Sequence, residues 1–342
     1  MTQRRHFPNG SLSDEGHSLN LTQETAGWTY TGLRVLSMDP GETRTFATGQ
    51  CETALLPLSG GRSKIEVNPE HGSTAFFDLE GRTSVFSRVT DFVYIGRDST
   101  VTVTVPESSS DGLEGSAGLE GSAGLELALP MARCDNPLEP KYGPAEEVET
   151  EARGGGPATR QVTNFLTPDR WSHADKLMCC ELITPDGNWS SYPPHKHDDS
   201  PECEVNNEEI YYFRIGKAFG PARGAAGTIG YSSKGFGMHR TYTGPRPDLE
   251  QAGSAPDPLS LFDENVVVRD GDLYLIPRGY HGPCIAAPGY PMYYLNVLAG
   301  PGGERSMAFC DDPSHHWVRD SWLNMDLDPR CPVTSADGVV EH

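Results

Sequence analysis

Two histidines stand one residue apart in the stretch Tyr192-Pro-Pro-His-Lys-His-Asp198. In an extended strand alternate side chains share a face, so His195 and His197 project together while Lys196 turns away. Two imidazoles so placed can reach one metal ion, and a metal asks for further ligands. The next strand-like run, Glu208-Glu-Ile-Tyr-Tyr-Phe-Arg-Ile215, begins with two glutamates. If it pairs with the histidine strand, one glutamate comes to lie opposite the histidines. Glu209 begins the alternation Glu209, Tyr211, Phe213 and is the preferred ligand; Glu208 points the other way. The loop between the two strands is long, so Glu202 and Glu204 stay open as alternatives. A fourth ligand comes from Asp270-Gly-Asp-Leu-Tyr-Leu-Ile-Pro-Arg-Gly-Tyr-His281. There a Gly-Asp turn leads into a short apolar strand, and Pro277 with Gly279 makes a corner that presents His281. Three imidazoles and one carboxylate suit one divalent ion, zinc first, with Mn, Fe, Ni or Co compatible.

These residues need a scaffold, and the rest of the chain describes it. At 342 residues there is length for two domains, each with its own core. Segments such as Thr100-Val-Thr-Val-Thr-Val105, Ser84-Val-Phe-Ser87 and Glu209–Ile215 alternate with period two and are rich in β-branched and aromatic residues. Glycine (38) and proline (28), about a fifth of the chain together, punctuate them at short intervals, and amphipathic helices longer than a few turns are not evident. The fold class expected is all-β, with a sandwich or barrel in each half. The first domain is assigned to residues 1–150 and the second to 151–342, with the boundary in the Pro-, Gly- and charge-rich stretch from Cys134 to Arg160. Residues 107–125, which carry Gly-Leu-Glu-Gly-Ser-Ala twice in tandem, are read as a solvated loop at an expanded hairpin tip inside the first domain.

With 27 Lys and Arg against 48 Asp and Glu, the formal net charge is −21. That balance argues against nucleic acid and anionic membranes as partners, since both call for a basic surface. An acidic substrate would be repelled by the global field, so its site would need locally concentrated positive charge. No apolar run approaches membrane-spanning length, and the arginines near the N-terminus are not followed by a secretory h-region, which points to the cytoplasm. The eight cysteines are scattered without a C-x-x-C pair and are expected to be reduced.

In order along the chain, the segments resemble the two signature motifs of the cupin barrel. The first is Gly187, His-Lys-His and Glu209; the second is Gly271, Pro277, Gly279 and His281. The surrounding words carry a closer resemblance. YPPHKHD, EEIYYFRI, RTYT at 240–243, VVRDGDLYLIPRGYHGPCIAAPGYPMYYLNVLAG and DDPSHHWVRDSW look like the 5-deoxyglucuronate isomerase family of bacterial inositol catabolism, as do ATRQVTNF from Ala158 and GRTSVFSRVTDFVYIG from Gly81. The resemblance spans nearly the whole chain apart from the repeat, the extended N-terminus and the last dozen residues. It implies a bicupin whose C-terminal barrel alone binds metal, with ligands His195, His197, Glu209 and His281, and the first half indeed has no His-x-His. It further implies conversion of 5-deoxy-D-glucuronate to the ketose 5-dehydro-2-deoxy-D-gluconate, without an organic cofactor.

That chemistry asks for a proton-handling group and for an anchor on the substrate carboxylate. Tyr242, in RTYT, and Tyr294, which shares strand parity with Asn296, are the catalytic candidates, although each fits a core tyrosine equally well. Arg240 is the preferred carboxylate anchor, followed by Arg278. Arg160 is a further possibility for which a domain-interface salt bridge is the preferred explanation. His315 and His316 are left out of the site, because Trp317 and Trp322 mark their segment as packing on the barrel or on another subunit of a homo-oligomer. The competing functions are a 4-deoxy-5-ketouronate isomerase of pectin breakdown, a cupin dioxygenase using the same ligands, and a non-catalytic sugar-binding cupin.

Overall fold

The computed structural model describes residues 4–14, 16–107, 124–217, 230–243 and 261–341. Most of the repeat, at 108–123, lies outside them. Strands dominate the described residues, and the helices are short, the longest being Trp317–Trp322.

Four main antiparallel sheets stack in two sandwiches. In the first half, a six-stranded sheet runs in the order Lys141–Gly143, Phe92–Ile95, Cys51–Ser59, Leu125–Arg133, Thr31–Met38, His17–Leu21. It faces a four-stranded sheet of Thr43–Ala47, Ser99–Thr104, Ser63–Pro69 and Ala75–Leu79. In the second half, an eight-stranded sheet carries His6–Phe7, Leu273–Ile276, Glu208–Lys217, Met292–Ala299, Met178–Thr184, Arg160–Leu166 and Glu149–Arg153 in that order, with Gly230–Tyr231 beside Glu208–Lys217. Its partner is a second six-stranded sheet of Asp263–Val268, Gly237–Tyr242, Tyr280–Ala286, His195–Lys196 and Cys310–Asp311, with Trp189–Ser190 beside Tyr280–Ala286.

Side-chain parity builds three apolar layers between these sheets. Leu36, Leu55, Ile65, Val67, Val101 and Leu127 fill the first sandwich. Tyr211, Phe213, Ile215, Tyr274, Met292 and Tyr294 fill the second. Between the halves, Leu33, Val35, Leu56 and Tyr94 of one large sheet meet Ile210, Tyr212, Tyr293, Leu295 and Val297 of the other. The two large sheets are therefore buried on both faces, which is why their strands read as continuous apolar runs such as Met292-Tyr-Tyr-Leu-Asn-Val-Leu-Ala299. Each fully buried large side chain contributes roughly 1.5–3 kcal/mol, so the contact between the halves is a core and not a hinge surface.

Polar anchors pin that contact. Arg82 forms a buried ion pair with Glu181, whose carboxylate also accepts from the Tyr293 hydroxyl at 2.7 Å. Glu52 accepts from the backbone N–H groups of Asp175, Lys176 and Leu177 at 2.8, 2.5 and 2.6 Å. Glu208 answers from the other side, accepting from the N–H groups of Thr29, Tyr30 and Thr31 at 2.7, 2.8 and 2.8 Å.

Two expectations change. The strands flanking the repeat, Ser99–Thr104 and Leu125–Arg133, do not pair as a hairpin but lie in the two facing sheets of the first sandwich. The strand at His195 does not pair with Glu208–Lys217 either; it pairs with Tyr280–Ala286 and Cys310–Asp311, in the sheet opposite. Alternation identifies a strand but carries no information about its neighbour. Finally, His6–Phe7 pairs with Leu273–Tyr274 of the second half. A division of the chain near residue 150 is thus retained as a proposal, with the N-terminal strand crossing over it. All eight cysteines are free. Among the described residues no helix is long and apolar enough to cross a membrane.

Candidate active site

The histidines and the glutamate meet inside the second sandwich, across the gap between its sheets. Glu209 shares strand parity with Tyr211 and Phe213 and so points inward, while Ile210 and Tyr212 face the other half. On the facing sheet, His195 stands directly opposite His281 in register, with their rings 4.3 Å apart. Two glycines flank His281 in the left-handed region, and both are required by close approach. A Cβ on Gly279 would lie 2.6 Å from the Tyr242 carbonyl oxygen, and one on Gly282 would lie 1.8 Å from that of Ser191.

Glu209 Oε2 lies 2.6 Å from His197 Nε2 and 3.1 Å from His281 Nε2. Candidate ligand atoms of His197, Glu209 and His281 all fall within 4.8 Å of one another. His195 stands just outside this trio. His195 Nδ1 lies 3.2 Å from the Pro193 carbonyl and His197 Nδ1 lies 3.2 Å from that of Asn207. A carbonyl only accepts, so in both rings Nδ1 carries the proton; His195 Nε2 then presents its lone pair, and His197 Nε2 faces the Glu209 carboxylate, where a cation can take the place of the proton between them. His281 is completely buried, and neither ring nitrogen has a hydrogen-bond partner. Burial pushes the His195 pKa down to about 4 and holds that of His281 well below the ordinary value. Against the same burial penalty, the Glu209 carboxylate keeps His197 above its ordinary value. Neutral His195, neutral His281 with both nitrogens orphaned, and a His197–Glu209 pair whose shared proton a cation can replace make the donor set a divalent cation takes, so the residues fit a metal.

The loop glutamates have other partners. Glu202 accepts from Lys196 Nζ at 2.5 Å, which also confirms that Lys196 faces away from the histidines. Glu204 lines a separate cavity with Lys176 and Met178. Asp198 ties the loop down by accepting from the Gly279 N–H at 2.9 Å.

A cavity of about 670 Å³ opens onto the site, with His195, His197, Glu209 and Tyr211 on one wall. Its volume suits a small polar ligand. Leu182, Leu298, Met307 and Phe309 supply apolar wall, and Arg153, Arg160, Arg305 and Arg319 supply positive charge. Unsatisfied buried polar atoms concentrate here: Arg160 Nε, Thr167 Oγ1 and Asn296 Oδ1 all belong to its lining residues. The Tyr211 hydroxyl lies 3.1 Å from Ser191 Oγ, and burial together with Glu209 holds its pKa well above the usual value. At neutral pH it is a hydrogen-bond donor and not a base.

Four of the expected site residues stand apart from this cavity. Tyr242 lies outside the cavity, donating to Asp312 Oδ2 at 2.5 Å. Arg240 sits on the outer side of its strand in a bidentate pair with Asp263, at 2.8 and 2.6 Å. Its inward neighbours are His239 and Thr241, both buried. Arg278 is 46% exposed and pairs with Asp199 at 3.0 Å. It lines a different cavity, of about 470 Å³, on the far side of His197 and His281. Tyr294 does point into the sandwich, but its hydroxyl is held by Ser190 and Ser191 at 3.0 and 2.9 Å beneath the cavity wall. The sequence reading did not single out Arg153, Arg305, Arg319, Asn296 or Tyr211 as site residues. Of these, Tyr211 and Asn296 carry a local signal, their parity with Glu209 and with Tyr294. Arg319 arrives from the helix Trp317–Trp322, held by Asp311 at 2.5 and 2.6 Å.

Fold and site together define a two-cupin protein with a histidine–carboxylate centre in its C-terminal barrel. Residues 7–318 match the KduI/IolB family, and the chain belongs to it. It is 34% identical over 319 residues to the 5-deoxy-glucuronate isomerase of Geobacillus thermodenitrificans, covering 93% of this chain and 95% of the relative. It is 33% identical over 300 residues to that of Bacillus subtilis strain 168, covering 87% and 91%. Among solved structures, an IolB-like protein from Salmonella typhimurium LT2 superposes with a TM-score of 0.69 at 27% identity, covering 92% of this chain and 99% of that one. The oxalate decarboxylase of Lactobacillus farciminis, at 8% identity and a TM-score of 0.56 over 89% and 88% of the two chains, shares the fold alone.

Proposed function

We propose that this protein is a metal-dependent aldose–ketose isomerase that converts 5-deoxy-D-glucuronate to 5-dehydro-2-deoxy-D-gluconate in inositol degradation. The observation that carries the reading is the convergence of His197 Nε2 and His281 Nε2 on one Glu209 oxygen, at 2.6 and 3.1 Å, where His197 and Glu209 line a cavity that also carries guanidinium groups. The name borne by the curated relatives supports the substrate.

In this reading His195, His197, Glu209 and His281 hold one divalent ion, zinc by the donor set, and no organic cofactor takes part. When bound, the ion supplies Lewis-acid stabilisation of negative charge on the two sugar oxygens that exchange carbonyl character. The remaining roles fall to the chain itself. The reaction moves one hydrogen from C2 to C1 and one proton between the two oxygens, so no oxidant or reductant is consumed. Tyr211 donates a hydrogen bond from its protonated hydroxyl, and Asn296 Oδ1 accepts from a sugar hydroxyl. Leu298 and Phe309 exclude water from the reacting end.

The reading includes a cytoplasmic location and a homo-oligomer. Trp317, Leu323, Met325 and Leu327 are exposed along the C-terminal segment, which supports the oligomer. The test is anaerobic incubation of the metal-loaded protein with 5-deoxy-D-glucuronate, following the carbonyl by carbon NMR. Appearance of the ketose is expected. A requirement for oxygen would favour a dioxygenase, and tight binding without turnover would favour a sugar-binding cupin; either result overturns the proposal.

A further inference from the structure

The salt bridge expected for Arg160 is absent. Arg160 opens the strand Arg160–Leu166, is 6% exposed, and makes no ion pair among the described residues. Its Nη1 donates to the carbonyls of Arg153 and Ala158, each at 3.3 Å. Its Nε has no acceptor among the described residues. Its Nη2 makes no hydrogen bond among the described residues. The guanidinium lies over the Trp322 ring, 5.5 Å from the centroid. Burial, reinforced by Arg153 and Arg319 and only partly offset by Tyr294 and Glu151, pushes its pKa down to about 10.

The other arginines of this cavity are committed. Arg319 is clamped by Asp311, Arg153 pairs with Glu151, Arg170 pairs with Glu149, and Arg305 is spent on the carbonyls of Leu166, Leu177 and Trp171. A buried guanidinium without an anion is costly, and an anion arriving from outside offsets that cost. The empty edge, Nε with Nη2, is the one that takes a carboxylate side-on in two parallel hydrogen bonds.

We propose that Arg160 is the anchor for the carboxylate of a sugar-acid substrate, fixing one end of the molecule while its carbonyl end lies toward His197 and Glu209 on the same cavity. The identity of that sugar acid rests on the isomerase reading; the anchoring role does not. Arg160 thereby replaces Arg240 and Arg278, whose guanidinium groups are held by Asp263 and Asp199 outside this cavity.

The test is calorimetric binding of D-glucuronate and D-glucose to the full-length, metal-loaded protein and to its R160Q and R160K variants. Wild type is expected to prefer the acid, and R160Q to lose about ten- to a hundredfold in affinity for D-glucuronate with D-glucose unchanged. R160K, which keeps a charge but not the planar fork, falls between. Unchanged acid binding in R160Q, or equal loss for both sugars, overturns the proposal. Should R160Q fail to fold, R160K decides: a selective loss of acid affinity supports the anchor, and none overturns it. Turnover separates the two readings. Arg160-dependent acid binding without conversion of 5-deoxy-D-glucuronate would sink the isomerase and leave the anchor standing. Conversion with a KM indifferent to R160Q would do the reverse.

Discussion

Glu208 and Glu209, neighbours in sequence, serve opposite faces of one strand: the first caps three backbone N–H groups of the other half, and the second faces His197 and His281. Substitution should separate the two roles cleanly. E208A leaves those N–H groups without their acceptor and is expected to cost about 1–3 kcal/mol of stability while metal content stays at the wild-type level. E209A is expected to lose metal with a smaller change in the apo-protein's stability, because His197, its buried partner, can shed its proton once the carboxylate is gone. Elemental analysis and denaturant melts on both variants check this; metal loss in E208A would contradict it.

The tyrosines offer a second contrast. Tyr242 donates to Asp312 away from the cavity, so Y242F should keep kcat within about twofold and cost about 1 kcal/mol of stability. Tyr211 lines the cavity beside Glu209, and Y211F should lower kcat by about tenfold or more. Steady-state kinetics on the two variants would reverse the assignment if Y242F were the slower enzyme.

These contrasts mark what the sequence could and could not show. The period-two runs, the metal-type residues and the split between Glu208 and Glu209 were legible because each depends on local parity along one strand. The placement of Arg240 and Tyr242 away from the cavity is not legible, because parity does not reveal which face is inside, and the ladder to Tyr280–Ala286 shifts register between His239 and Thr241. Arg278 follows the same logic at a turn, where Asp198 and Asp199 from a distant loop capture it. The positive cavity wall was illegible for another reason. Arg160, Arg305 and Arg319 come from a strand, a loop and the helix Trp317–Trp322, and only tertiary folding brings them together. Pairing of the histidine strand with the glutamate strand was a reasonable inference from chain order, yet the sandwich sets them face to face.

The buried Arg82–Glu181 pair joins the halves at Tyr293. Removing one partner strands the other in a dry interior, so E181A is expected to cost about 3–5 kcal/mol, whereas the R82M/E181L double variant should recover most of that loss. Chemical denaturation measures both. A double variant as unstable as E181A would contradict the account.

Stability should also depend on pH through the buried imidazoles. His195 and His239 have folded pKa values of about 4 and about 3, and that of His281 is well below the ordinary value, all chiefly through burial. Below pH 6.5 the unfolded chain takes up protons that these folded rings refuse, so stability falls as pH drops from 6.5 toward 4. Each ring contributes up to about 1.4 kcal/mol per pH unit. His197, raised above its ordinary value, is protonated in both states there and adds nothing; its own contribution is lost only as pH rises through its folded pKa. Melts of the chelated protein at pH 7 and pH 5 test this, and a flat profile would contradict it.

The most direct test of the central claim is a metal titration of the chelated protein, read as anaerobic conversion of 5-deoxy-D-glucuronate. The site built on His197, Glu209 and His281, with His195 beside them, predicts no activity in the apo-protein and recovery that saturates at about one equivalent of divalent ion per chain. Full activity after verified metal removal would contradict it.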